Sequence, residues 1–143
     1  MRYIGLDLGE KTLGISISNG VIASNYGTLR HNKDYNYLVN EIRKIVIKEH
    51  IDKIVLGFPK NMNNTIGERA NITLDFQKEL EKKTELEVIM EDERLTSVVA
   101  NQVLISDNMR REKRKKKVDG VASVIILQSY LDRKVKENGK EHN

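Results

Sequence analysis

The chain has 143 residues, 38% hydrophobic and 32% charged, a length that suits one ordinary domain burying about two-thirds of the surface its unfolded form exposes. That balance excludes a disordered or fibrous protein, and the absence of cysteine excludes disulfides, thiolate metal sites and a cysteine nucleophile. The net charge of +4 is unevenly spread: residues 110–117 hold seven basic side chains and one acid, so the rest of the chain sums to −2. A patch of that kind is expected where one surface meets a polyanion.

In chain order, residues 2–8 and 13–18 read as strands. The second alternates Leu13, Ile15 and Ile17 with Gly14, Ser16 and Ser18, the period-2 pattern of a half-buried strand. Asn19-Gly20 predicts a two-residue hairpin turn into a third strand near 21–28. The period then changes. Leu38, Ile42, Ile45 and Val46 share a helical face behind a capping Asp34, and that helix ends near His50. Lys53 to Gly57 reads as a short buried strand, and a loop at 60–65 follows the single proline, Pro59.

Thr65-Ile66-Gly67-Glu68 has the form of a capping box and opens a helix carrying Ala70, Leu74, Ile72, Phe76 and Leu80. Leu86 to Met90 reads as a fifth strand with Asp92-Glu93-Arg94 at its end. Thr96 caps a helix through Val99, Val103 and Leu104, the basic segment forms a loop, and a last helix runs from Lys117 to about Lys136. Residues 1–136 are expected to form one domain, and residues 137–143 a polar tail that frays. Three meander strands followed by two α-β crossovers make an α/β fold: a five-stranded mixed sheet, with a three-strand antiparallel meander plus two parallel strands, flanked by helices. Met1-Arg2 runs straight into a strand, and no segment reaches the roughly 20 apolar residues of a membrane span. A cytoplasmic protein without a membrane partner is expected.

Three acids stand where apolar elements end. Asp7 interrupts an apolar strand, Glu93 follows another, and Asp119 falls in the first turn of the last helix on a stripe with Ala122, Ile126 and Tyr130. A charge in such a place is costly unless something compensates it. A hard cation, Mg²⁺ or Mn²⁺, does so with oxygen ligands, and a pair of them hydrolyses phosphodiesters. Each acid also has an ordinary reading: Asp7 as a turn acid beside Gly9, Asp119 as a helix N-terminal acid, and Glu93 as a surface acid with Asp92 as the ligand instead. Lys11, in Asp7-Leu8-Gly9-Glu10-Lys11, can pair with a phosphate that the glycines let approach.

These segments together carry a resemblance. Ile4-Gly5-Leu6-Asp7-Leu8-Gly9 with Gly14, Val55-Leu56-Gly57-Phe58-Pro59 with Asn61 and Met62, Asp92-Glu93-Arg94-Leu95-Thr96, and Lys117-Val118-Asp119-Gly120-Val121-Ala122-Ser123 resemble, in order, the YqgF family. It is also called the RuvX or pre-16S rRNA nuclease family, within the ribonuclease H-like superfamily. The resemblance implies a nuclease maturing the 5′ end of precursor 16S rRNA, with its acidic positions on Asp7, Glu93 and Asp119. Its partners would be that RNA or a pre-ribosomal particle, and, on a lower-ranked reading, branched DNA such as a Holliday junction. Arg94 and the basic residues Lys113, Arg114, Lys115, Lys116 and Lys117 would guide the strand. The basic loop is denser than the family pattern leads one to expect.

Two other readings remain: a non-enzymatic RNA or ribosome-assembly factor, and half of a sugar-kinase or actin-like ATPase, which also opens on D-x-G. The sequence leaves monomer and homodimer equally open. His31, His50 and His142 have no ligand spacing or nucleophile partner, and Glu68 is assigned to helix capping. Five Tyr and two Phe form no base-stacking cluster, so binding is expected to rest on phosphates.

Overall fold

Alternation in the first strands is what builds the sheet. Ile4, Leu6 and Leu8 of β1 (Tyr3–Leu8) and Leu13 and Ile15 of β2 (Thr12–Ser18) point to one face, where they are buried; Tyr3, Gly5 and Asp7 point to the other, as strand geometry requires. The computed structural model describes residues 1–59, 67–92 and 121–134. After β2 come β3 (Ala23–Arg30), α1 (Tyr35–Glu49), β4 (Lys53–Phe58), α2 (Glu68–Thr84) and β5 (Val88–Asp92). A further helix, α3, covers residues 121–134.

The strand order is β3-β2-β1-β4-β5. β1, β2 and β3 pair antiparallel, whereas β4 lies parallel to β1 and β5 parallel to β4. This is the expected mixed sheet, with the crossover strands added beside β1. On one face α1 and α2 bury Leu38, Ile42, Phe76 and Leu80 against Ile4, Leu6, Leu13, Ile15, Ile54 and Leu56. On the other, Ile126, Leu127 and Leu131 of α3 pack on Tyr3, Ala23 and Val55.

Several local expectations are corrected. The β2–β3 connection is Asn19-Gly20-Val21-Ile22, longer than a two-residue turn, because Ser18 pairs with Ala23; Gly20 takes the positive φ of 109° that favours glycine. The polar side of β2 does not face water: Ser16 and Ser18 are buried beneath α3. β5 starts two residues later than the hydrophobic run suggests, because Glu85 closes α2 in the left-handed conformation and Thr84 Oγ1 accepts from the Leu86 N–H. The capping box does not form as read. Gly67 is the N-cap of α2 and no side chain caps it, so Glu68 is the first helical residue. Asp34 does cap α1, accepting from the Tyr37 N–H at 3.1 Å. The most buried residues of α3 are Ser123, Ile126, Leu127 and Leu131, with Ile125 at their edge, one position round from the predicted Ala122, Ile126 and Tyr130. The predicted loop at 60–65, the helix after Thr96 and the tail at 137–143 lie outside the described residues.

Candidate active site

Asp7 is the fifth residue of β1 and alternates in step with Tyr3 and Gly5, so it faces the α3 side of the sheet. It is half-buried. Its register partner on β2 is Gly14, and on the other flank the β1–β4 pairing ends at Leu6–Leu56, one step before Gly57. Neither neighbouring strand projects a side chain beside Asp7. Among the described residues no hydrogen bond or ion pair reaches its carboxylate, and no three acidic or histidine side chains cluster closely enough to hold a metal. Glu93, Arg94, Asp119 and Lys113 to Lys117 lie outside the described residues. Of the two acids closing β5, Glu91 faces α3 and Asp92 faces α1 and α2, opposite Asp7, following Val88 and Met90.

Glu91 shares the Asp7 face yet is already committed. It is 1% exposed, and Arg133 of α3 donates to both its oxygens, at 2.7 and 2.8 Å. Such a two-pronged guanidinium–carboxylate pair satisfies the acid geometrically and electrostatically. Asp7 has no equivalent among the described residues.

α3 is fixed over β1 by a buried polar knot. Ser16 Oγ donates to the Ser123 carbonyl at 2.9 Å, Ser123 Oγ donates to the Gly5 carbonyl at 2.9 Å, and the two hydroxyl oxygens are 3.0 Å apart. Both serines are fully buried. Farther along, Tyr130 packs on Tyr3 with ring centroids 5.9 Å apart, and Lys134 Nζ donates to Tyr3 Oη at 2.7 Å. The helix thus runs back along β1, and its first described turn is the end nearer Asp7. The Tyr3 hydroxyl raises the Lys134 pKa by hydrogen bonding, and burial raises that of Tyr130.

The turn after Asp7 is held from outside. His31 Nδ1 accepts from the Lys33 N–H at 3.0 Å, which leaves Nε2 as the protonated nitrogen of the neutral ring, and Nε2 donates to the Gly9 carbonyl at 2.9 Å. The His31 N–H donates to the Lys11 carbonyl at 2.9 Å. From α2, Arg69 Nη2 donates to the Leu8 carbonyl at 3.1 Å. Sequence reasoning passed over both residues. Each reaches a backbone carbonyl distant in the chain, so no spacing signals it. Lys11 stands exposed on this turn, able to offer its ammonium to an anion.

A family model described as "RuvX: Holliday junction resolvase" matches residues 1–133. A relative from Geobacillus sp. (strain WCH70), named "Putative pre-16S rRNA nuclease", is 44% identical over 137 residues, 94% of this chain and 99% of the relative. One of the same name from Bacillus subtilis (strain 168) is 44% identical over 135 residues, 92% of this chain and 98% of the relative. Among solved structures, Thermus thermophilus RuvC in complex with a Holliday junction substrate matches with a TM-score of 0.54 at 9% identity, over 88% of this chain and 91% of that one. A ROK hexokinase from Thermus thermophilus matches with a TM-score of 0.51 at 20% identity over 70% of this chain; the chain spans only 38% of the hexokinase. At these identities the two structures share the fold and nothing more specific. The fold is ribonuclease H-like, and the chain belongs to the RuvX (YqgF) family as a phosphodiester-hydrolysing nuclease.

Proposed function

We propose that the chain is a divalent-metal-dependent nuclease acting in the cytoplasm on the 5′ end of precursor 16S rRNA, free or within a pre-ribosomal particle. The observation that carries the chemistry is Asp7: a half-buried carboxylate on the α3 face of β1, with Gly14 opposite it and no partner among the described residues. It offers the oxygen donor that Mg²⁺ or Mn²⁺ takes, so the described part of the site fits such an ion. Glu93 and Asp119 would hold it with Asp7. Glu93 is preferred to Asp92 because Asp92 turns to the opposite face of the sheet. When bound, such ions would supply Lewis acidity and lower the pKa of the attacking water. The protein's share is placement. The bare flanks at Gly14 and Gly57 admit a phosphate to Asp7, Lys11 offers it a cation, and Arg94 with Lys113, Arg114, Lys115, Lys116 and Lys117 steers the strand. The substrate is favoured by the relatives' name.

The experiment is cleavage of precursor 16S rRNA, unstructured RNA and four-way DNA junctions, with and without Mg²⁺ or Mn²⁺, by wild type and Asp7→Asn. Metal-dependent cutting of the precursor that disappears in the variant is the expected result. Preferential cutting of the junction would transfer the reading to DNA, the substrate in the family's description. Equal cleavage by the variant would remove Asp7 from the chemistry.

A further inference from the structure

β1 runs two residues past Leu6, its last residue paired with β4. Backbone groups alternate along a strand. The Gly9 N–H turns to β2, donating to the Thr12 carbonyl at 2.8 Å, whereas the Arg2 carbonyl turns to β4 and accepts from the Lys53 N–H. Leu8, an even step from Arg2, therefore directs its carbonyl towards β4. Pairing with β4 has already ended at Leu6–Leu56, so that carbonyl has lost its ladder partner, and a carbonyl left without one is costly. Arg69 supplies the donor instead, reaching 61 residues along the chain from the first turn of α2. The next carbonyl, that of Gly9, receives His31 Nε2–H, whose tautomer is set by the Lys33 N–H.

We propose that Arg69 and His31 are positioning residues for the nuclease site, holding the consecutive Leu8 and Gly9 carbonyls and so fixing the Asp7-to-Lys11 turn where the sheet splits. The inference rests on Asp7 being a metal ligand. Asp7 is the next-to-last residue of β1, directly before the two held carbonyls, so the direction of its backbone depends on how firmly they are held. Arg69 is exposed, so removing it costs turn geometry more than packing; His31 is half-buried with its ring 5.7 Å from that of Tyr35, centroid to centroid, so its removal also costs that ring contact. Partners bonded to a ligating side chain itself are worth about 10- to 100-fold in metal affinity or activity; these bonds lie one and two residues along the chain, so the lower end of that range is expected.

The test uses the full chain as wild type, Arg69→Ala, His31→Ala, the conservative pair Arg69→Lys and His31→Gln, and Asp7→Asn. Mn²⁺ binding is measured by calorimetry, alongside kcat, KM and thermal melting. Arg69→Ala and His31→Ala are expected to bind Mn²⁺ about tenfold more weakly, with kcat lowered by a larger factor than KM for nucleic acid is raised, while melting falls by only a few degrees. His31→Gln keeps an amide donor for Gly9 and is expected to recover much of the affinity; Arg69→Lys, with a single point donor, recovers less. If the alanine variants fold poorly, Arg69→Met and His31→Phe, which keep bulk but remove the donor, decide: folded variants of this kind that bind and cleave as wild type overturn the proposal. Folded alanine variants with unchanged Mn²⁺ affinity and kcat also overturn it, while Asp7→Asn losing both leaves the nuclease reading standing. If Asp7→Asn itself changes neither, the parent reading fails and the positioning role fails with it.

Discussion

Gly5 lies so close beneath Leu127 that a Cβ built on Gly5 would stand 2.8 Å from the Leu127 Cβ, and 3.2 Å from the Ser123 carbonyl oxygen. Those neighbours are backbone and the root of a side chain, which cannot swing aside. Gly5→Ala is expected to lift α3 from β1 and to destabilise the fold by about 1–3 kcal/mol, the usual cost of overpacking. Urea denaturation measures it, and a variant as stable as wild type would show that α3 can shift freely.

The serine knot should behave as one unit. Ser123→Ala leaves the Gly5 carbonyl without that donor and Ser16 without one of its contacts, at an expected cost of about 1–3 kcal/mol. Ser16→Ala removes much of the same network, so the double variant should lose less than the two single losses together. A denaturation cycle over the four proteins reads the coupling directly; simple additivity would mean that the hydroxyls act independently.

Removing Arg133 strands a buried acid. Arg133→Ala is expected to destabilise by about 1–3 kcal/mol, reduced from the cost of a fully buried pair because the Arg133 side chain is 47% exposed. Replacing Glu91 and Arg133 together with methionine should restore most of that loss, since the desolvated charge goes with its partner. Thermal melting of the single and double variants separates the two outcomes.

Alkaline pH should loosen α3 first. Lys134 has its pKa raised by the Tyr3 hydroxyl, and Tyr130 has its pKa raised by burial. In both cases the folded state holds the proton more tightly than the unfolded one, so the stabilisation is complete below the unfolded values of 10.0 for Tyr130 and 10.5 for Lys134. It is lost as pH rises through the higher folded values. Melting temperature is therefore expected to fall above about pH 10, and Tyr3→Phe should flatten the Lys134 share of that fall. A wild-type profile level through this range would contradict the assignment.

Asp7→Asn should separate activity from stability. Cleavage is expected to drop at least about 100-fold, the scale on which losing one contact to developing charge lowers kcat. Removing a charge from a half-buried place relieves desolvation, so without added metal the variant should melt no lower than wild type. A variant that is inactive only because it unfolds would assign Asp7 to structure.

The meander and both crossovers were legible because Leu13, Ile15 and Ile17 repeat at two and Leu38, Ile42 and Val46 repeat near the helical period. What periodicity missed was decided by single local bonds. Leu86 looks like strand but is held in the turn by Thr84, and Thr65 to Glu68 spells a capping box although Gly67 is the N-cap. Asp7 stood out as a charge among apolar neighbours, and Gly14 and Gly57 were visible as glycines, though not as the two flanks of one carboxylate. Arg69 and His31 were invisible for a different reason: a side chain bound to a remote carbonyl leaves no pattern, because any sequence presents that carbonyl.

The bonds that seat α3 join residues far apart in the chain: Ser123 to Gly5 across 118 positions, Gln128 to Ala23 across 105, and Arg133 to Glu91 across 42. During synthesis the sheet and the α1–α2 face can assemble while the ribosome is still making the residues that cover the Asp7 face. Loop closure over such distances is slow, so that face of the sheet is the last to acquire its lid. A nascent chain would carry a folded scaffold well before it carried a finished catalytic face, and cleavage would await the arrival of residues 121–134.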